Sequence, residues 1–430
     1  MVDGYRTREE KPMARIRSEI ETPVAHSDGL EWLLHPITPA DFLHTAWEQQ
    51  PLLISRAQRD YFQDLPGLDE VDEMITTTMS GRRIVEDDAS RLVRTDDKGR
   101  ISQRDFRITR AGVPDIQDIY QAYHEGHTIV LNGIHRRSSK VANLSRALEA
   151  TLHHPVGVNL YLTPRHSQGF DLHVDDHDVF ILQLHGTKVW HVASGLSPAT
   201  EHGKRPLSDI ELRTMTLESG DSLYIPRGFP HRAQATATSS LHLTVGVHAF
   251  RWADLMTEAL RLLADDDAEF RSALPPGFLD REIDPENVAR LGNQLAHALT
   301  DESLARRARQ SLGARLIGAG KAAPGGHFRS LDRLARLSDD SLVRRTRTMY
   351  HRIRSGPADV AIEFDGNFVS GPPFLEDALR FIADHELFRV DELPEIGNFH
   401  SKAKTDLVSR LIREGFLAVA DEAPEGNHAT

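Results

Sequence analysis

Between residues 155 and 250 the chain is cut into short apolar runs by turn signals, and this texture leaves few folds open. VGVNLYLT, DVFILQLHG, TKVWHVA, TMTLESGDSLYIP and SSLHLTVGVHAF are rich in Val, Ile, Leu and Tyr, and HGTK, SGD and PRGFP separate them. Gly and Pro at such points let the backbone reverse, while β-branched and aromatic residues suit a pleated surface. Several short strands at this spacing predict a β-sandwich or barrel.

The flanks read differently, and the whole is expected to be an α+β chain. Residues 29–130 suggest mixed helices and short strands. In LHPITPADFLHTAWEQQPLLI, Thr38 before Pro39 and Asp41 predicts an N-cap with proline at the first helical position. Residues 251–315 have helical periodicity with frequent Ala, Leu and Arg. The segment GAGKAAPGG reads as a linker. Beyond it, SLVRRTRTMYHRI reads as helical, VAIEFDGNFVSG as strand-like, and PFLEDALRFIADH and SKAKTDLVSRLIREGFLAV as helical with a closing strand. Residues 1–28 and 421–430 are expected to be tails.

Composition narrows the class. With 39% hydrophobic and 27% charged residues, the 430-residue chain has ample material for a core and suggests two or three domains. No apolar run approaches the roughly 18 residues of a membrane span, and the charged N-terminus lacks the apolar centre of a signal peptide. There is no cysteine, so disulfides, thiolate metal sites and cysteine nucleophiles are excluded. These features together predict a cytoplasmic protein. The net charge of −13 argues against nonspecific nucleic-acid binding and suits a basic partner such as a ribosomal protein. Lysine is scarce, eight in all, so a lysine inside a motif is informative.

The chemistry concentrates in His173-Val174-Asp175. If these residues lie on a strand, positions two apart share a face, so one imidazole and one carboxylate can converge on a metal. The third ligand expected is His231, 56 residues beyond Asp175, at the end of Gly220-Asp-Ser-Leu-Tyr-Ile-Pro226-Arg-Gly228-Phe-Pro-His231. That stretch matches the second cupin motif, G-x5-P-x-G-x2-H. Gly220 permits a tight turn into a strand, and Pro226 with Gly228 shapes the bend that presents His231. Two histidines and one carboxylate on one face of a metal leave three positions open, the arrangement of non-haem Fe(II) oxygenases. By parity His177 shares the face and is a conceivable replacement ligand. Asp176, Asp178, His185 and His191 are expected at the surface or behind the ligands.

Other residues fill out a possible pocket. Lys188, in VFILQLHGTKVW, is either a solvent-facing residue at a hairpin end or a buried cation awaiting an anion, since an unpaired charge in an apolar strand is costly. Asn159 and Tyr161 are either an inward pair that bonds a ligand or a polar pair on a half-exposed strand. His242 reads first as a satisfied core histidine, with a substrate role as the alternative. Thr244 is a weaker candidate of the same kind.

Taken together, NLYLTPRHSQGFDLHVDDHDVFILQLHGTKVWHV, GDSLYIPRGFPHRAQ and SLHLTVGVHAF resemble the JmjC-type ribosomal oxygenases, a family of cupin-like protein hydroxylases. The resemblance is densest over 155–250. It implies a JmjC double-stranded β-helix over residues 29–250, a helical dimerisation region over 251–316 and a winged-helix-like domain over 327–420. It implies Fe(II) on His173, Asp175 and His231, with 2-oxoglutarate and O2 as cosubstrates. The family's 2-oxoglutarate-binding lysine would fall on Lys188 and its pocket Asn and Tyr on Asn159 and Tyr161; from the residue reading, Thr244 joins Lys188 and Asn159 as a cosubstrate candidate and His242 joins Tyr161 as a substrate candidate. The implied reaction is hydroxylation of the β-carbon of His or Arg in a ribosomal protein by a homodimer. TPxxSQGF and SLHLT look more like the histidine hydroxylases of the group.

Two positions depart from the pattern. Gly246 stands where those relatives place a small hydroxyl residue, and Asp171-Leu172 differs from the usual pair before the triad. Both bear on the substrate, which is open to a peptide or carrier-bound amino acid as an alternative. A protein-binding module with an inactive cupin core, and a Mn- or Zn-cupin, are the other readings. Over 327–420, 14 basic residues face 15 acidic ones. No direct nucleic-acid binding is therefore expected of the winged-helix-like region, nor any membrane contact of the chain.

Overall fold

The computed structural model describes residues 29–78, 90–96, 98–195, 211–300, 302–320, 326–346, 350–395 and 401–420. The expected tails, 1–28 and 421–430, and most of the expected linker lie outside the described residues. The chain divides into two compact units, one holding residues up to 151 with 156–248, the other 152–155 with residues from 249 onward.

The first unit carries eleven described strands: β1 (Leu52–Ile54), β2 (Arg91–Thr95), β3 (Ile101–Asp105), β4 (Thr128–Leu131), β5 (Val156–Thr163), β6 (Asp178–His185), β7 (Thr187–Ala193), β8 (Leu212–Glu218), β9 (Ser222–Ile225), β10 (His231–Ala235) and β11 (Ser240–Val247). They form an eight-stranded sheet in the order β1-β9-β6-β11-β5-β4-β2-β3 and a three-stranded sheet in the order β10-β7-β8. Every pairing is antiparallel. This is the layout of a cupin-type double-stranded β-helix.

The apolar runs explain the layering. From β6 and β9, Val179, Ile181, Leu223 and Ile225 meet Trp190, Val192, Met215 and Leu217 of β7 and β8 in one buried cluster. The alternate residues of β6 are buried too: Phe180 packs against Phe42 and Tyr224. A strand covered on both faces has no polar face to show, which is why DVFILQL is a continuous apolar run. Phe42 comes from the helix Pro39–Thr45, whose start is as expected: the Thr38 hydroxyl accepts from the Asp41 N–H, and proline sits in the first turn.

Arg56 ties this N-terminal segment to the core. Its guanidinium donates to the carbonyls of Leu33, His35 and Gly220 and to the Ser222 hydroxyl, and it lies over the Tyr61 ring. Burial lowers its pKa to about 10.

The second unit holds the helices Trp252–Asp266, Pro285–Thr300 and Glu302–Ala319, with Ala259, Leu304 and Ala308 at their contact. The last helix runs into GAG, so that part of the expected linker is helical. After it come β12 (Leu342–Arg345), β13 (His351–Ser355), β14 (Val360–Phe364), β15 (Asn367–Gly371), β16 (Leu387–Arg389) and β17 (Leu417–Val419). They form two three-stranded sheets, β16-β12-β17 and β13-β14-β15. Helices Glu376–Asp384 and Ser401–Arg413 pack on a core that includes Val343, Ile362, Phe364, Leu379, Val408 and Phe416.

SLVRRTRTMYHRI, expected as a helix, instead supplies β12 and β13. Its apolar residues are too sparse for a helical stripe, and Val343 alone of β12 is fully buried. Among the described residues, no helix is long and apolar enough to cross a membrane.

Candidate metal centre

His173 and Asp175 do not lie on a regular strand as expected. They sit in an irregular segment between β5 and β6, held by an isolated bridge between His173 and His231. The two residues exchange backbone hydrogen bonds, His173 N–H to the His231 carbonyl at 3.1 Å and His231 N–H to the His173 carbonyl at 2.9 Å. The Gly228 N–H donates to the Asp175 carbonyl at 2.8 Å. Gly220 and Gly228 both have positive φ, +91° and +78°, so the two glycines of the motif make the turns that bring these segments together.

The ligand atoms of His173, Asp175 and His231 all lie within 4.8 Å of one another. His231 Nε2 is 3.5 Å from an Asp175 oxygen, and the two imidazole centroids are 4.4 Å apart. His173 Nδ1 is 2.7 Å from the Asp171 carbonyl and His231 Nδ1 is 2.9 Å from the Phe229 carbonyl. A carbonyl can only accept, so each Nδ1 carries the proton and each Nε2 is left as a lone-pair donor. Burial and the neighbouring His173 hold the His231 pKa below the usual imidazole range, which favours the ligating, neutral form of that ring. Two imidazoles presenting Nε2 and one carboxylate fit a divalent first-row metal.

His177 does not join this group. Its ring stacks on His248, with centroids 4.6 Å apart, and its Nδ1 bonds Asp176. The chain bends after Asp175, so the parity that would align His177 is lost. Asp178 is buried rather than at the surface, accepting from the Tyr224 hydroxyl at 2.6 Å. His185 is exposed, and His191 bonds Thr214.

The triad opens on a cavity of about 260 Å³ whose lining includes Lys188, Asn159, Tyr161, His242 and Thr244. Lys188 on β7 is buried, 4% exposed. Its Nζ donates to the Thr163 hydroxyl at 3.0 Å and lies 5.8 Å from the Trp190 ring centre. It faces no carboxylate in any described ion pair, and burial lowers its pKa to about 7.

Tyr161 and His242 are opposite each other on β5 and β11 and stack with centroids 4.9 Å apart. Burial, with Asp175 second, raises the Tyr161 pKa to about 12. His242 is not a satisfied core histidine: it is buried, yet its Nδ1 has no hydrogen-bond partner. The Trp190 Nε1–H is also buried without a partner. The Asn159 amide oxygen accepts from the Gly133 N–H.

Both departures noted in the sequence have local explanations. Asp171 orients His173 through its backbone carbonyl, a contact indifferent to the side chain. At Gly246, any Cβ would stand 2.7 Å from Cδ2 of His177, so the His177 ring fills the space a side chain there would take. Arg91, Thr163, Phe170 and Trp190 also belong to this neighbourhood, beyond the residues singled out by the sequence. Trp190 was findable, two residues beyond Lys188 on one strand face. Arg91 and Phe170 carried no such signal.

Residues 133–255 match the JmjC domain family. The chain carries a JmjC domain. Around that domain it is 31% identical to human "Ribosomal oxygenase 1" over 63% of this chain and 44% of that protein. It is 32% identical to the Branchiostoma floridae "Bifunctional lysine-specific demethylase and histidyl-hydroxylase NO66" over 61% of this chain and 40% of that one. The chain thus spans less than half the length of these relatives. The fold likeness runs further than the JmjC domain. YcfD, a ribosomal oxygenase from Escherichia coli solved with cobalt and 2-oxoglutarate, superposes with a TM-score of 0.55 at 18% identity, over 90% of this chain and 99% of that one.

Proposed function

We propose that the chain is an Fe(II)- and 2-oxoglutarate-dependent oxygenase that hydroxylates a side-chain carbon of a polypeptide, with a ribosomal protein the foremost candidate and the β-carbon of His or Arg the position. The observation that carries this reading is the coincidence, in one cavity, of the His173–Asp175–His231 group and a buried ammonium with no anion beside it. Similarity to ribosomal oxygenases and to a histidyl-hydroxylase supports the substrate class.

When bound, ferrous iron would supply the oxidising chemistry, coupling decarboxylation of the keto acid to insertion of one oxygen atom into substrate. The side chains bind, orient and exclude water. His173, Asp175 and His231 hold the ion from one side through groups already fixed by backbone carbonyls and by the Gly228 N–H. Lys188, with Thr163 beside it, takes the distal carboxylate and holds its proton once that charge arrives. Asn159 and Thr244, which line the cavity, would contact the keto acid, while Tyr161 and His242 would face the substrate. Ile181, Trp190 and Phe170 keep the cavity dry.

The finer parts of the reading are a homodimer through the helical region 251–316, a winged-helix-like domain over 327–420 with a packing role, and a cytoplasmic location. Trp252, Leu279 and Val288, which expose large apolar side chains, support the dimer. A second reading, hydroxylation of a peptide or carrier-bound amino acid, is favoured by Gly246, where the His177 ring stands in place of a side chain.

Intact-mass analysis of ribosomal proteins from cells with and without the gene tests the first reading. It expects one protein to gain one oxygen only when the gene is present. An unchanged set of masses would move the assignment to the second.

A further inference from the structure

A single distal carboxylate needs one cation, and the cavity has two. Arg91, at the start of β2, lines it along with Lys188. Arg91 lies in register with Val130, Tyr161 and His242 across β4, β5 and β11, so it belongs to the same row of the sheet as the stacked pair of rings. Its Nε is buried with no hydrogen-bond partner, and it enters no ion pair among the described residues.

The two cations act on different rings of the Tyr161–His242 stack. Lys188 is the charge that acts on His242. Arg91 acts on Tyr161, which also senses Asp175. Lys188 is already engaged with the Thr163 hydroxyl, whereas Arg91 presents its guanidinium to the cavity in the Tyr161 row, so it is free to serve the substrate. A guanidinium offers a planar fork of donors matched to carboxylate oxygens, which a lysine does not. An arginine left with a buried, unpaired donor in a cavity that already holds another cation is costly unless an anion arrives.

We propose that Arg91 is a substrate-binding residue that receives a carboxylate of the substrate, and that the reacting side chain therefore has an acidic group nearby. This rests on reading the cavity as an iron and 2-oxoglutarate site. The carboxylate belongs either to an acidic side chain of a polypeptide or to a chain terminus.

The test uses the full-length protein with Mn(II) in place of iron and saturating 2-oxoglutarate, with acetate as the probe and acetamide as its neutral counterpart. The readout is relaxation of the methyl protons by the bound Mn(II). In the wild type, acetate is expected to relax saturably and several-fold more than acetamide. In Arg91→Gln it falls to the acetamide level while 2-oxoglutarate affinity stays within twofold. N-acetylglycine and N-acetylaspartyl amide, compared in the same way, tell a terminal from a side-chain carboxylate.

Equal relaxation by acetate and acetamide in the wild type overturns the inference. So does Arg91→Gln that still relaxes acetate, because acetate is then on the metal. An Arg91→Gln protein that loses 2-oxoglutarate as Lys188→Ala does assigns Arg91 to the cosubstrate instead. Failure of the wild type to bind Mn(II) and 2-oxoglutarate at all shows up before acetate is added, and removes the underlying reading rather than this step alone.

Discussion

Lys188 costs the ligand-free protein stability. Its pKa is about 7 in the fold against about 10.4 in the unfolded chain. Between those values the unfolded chain holds a proton the native state lacks, so stability of the ligand-free protein rises with pH across that window. Lys188→Met is therefore expected to raise the melting temperature of the metal-free, ligand-free protein at pH 7. The same substitution removes a charged hydrogen bond to 2-oxoglutarate, worth about 1.5–3 kcal/mol, or roughly 10- to 100-fold in affinity. In the wild type, 2-oxoglutarate binding takes up a proton at Lys188, so titration calorimetry should show affinity falling as pH rises above about 7. Affinity that is flat from pH 6.5 to 9 would contradict this role.

Gly246→Ala places a methyl group against the His177 ring at 2.7 Å. Overpacking of this kind costs about 1–3 kcal/mol, and a crystal structure of the variant should show the ring displaced. A ring left in place would mean that the backbone of β11 yields instead. These residue-scale features differ in how legible they were. His173, Asp175 and His231 stood out because a metal restricts ligand types and spacing. Arg91 did not, because nothing in RLVRT says which neighbour strand will carry it to the cavity.

At the scale of elements, the sheets were readable from apolar runs and turn residues, since period and punctuation are local properties. The segment carrying His173 was not, because a bridge to His231 holds it rather than a ladder, and long-range pairing leaves no local pattern. The same limit hid β12 within SLVRRTRTMYHRI, expected as a helix: its strand partners 389 and 417 lie far along the chain, whereas β13 pairs locally with β14. Turn chemistry gives the sharpest prediction here. At Gly220 a Cβ would lie 2.1 Å from the Gln58 carbonyl oxygen, and φ is +91°. Gly220→Ala combines a backbone clash with a left-handed residue, so it should destabilise by about 3 kcal/mol or more. Chemical denaturation checks this, and a loss under about 1 kcal/mol would show that the turn relaxes freely.

For the whole molecule, the proposed dimer is tested through its apolar residues. Trp252 and Leu279 are 79% and 84% exposed. The double substitution Trp252→Asp with Leu279→Asp should convert a dimer to a monomer by light scattering, and an unchanged mass would place any self-association elsewhere. The proposed chemistry needs a ferrous ion on His173, Asp175 and His231, with 2-oxoglutarate held by Lys188. Succinate release from 2-oxoglutarate, followed in air with and without added Fe(II), addresses it most directly. Iron-dependent succinate is expected from the wild type, and background from His173→Ala. Succinate formed by His173→Ala at the wild-type rate, or none from the iron-loaded wild type, would contradict it.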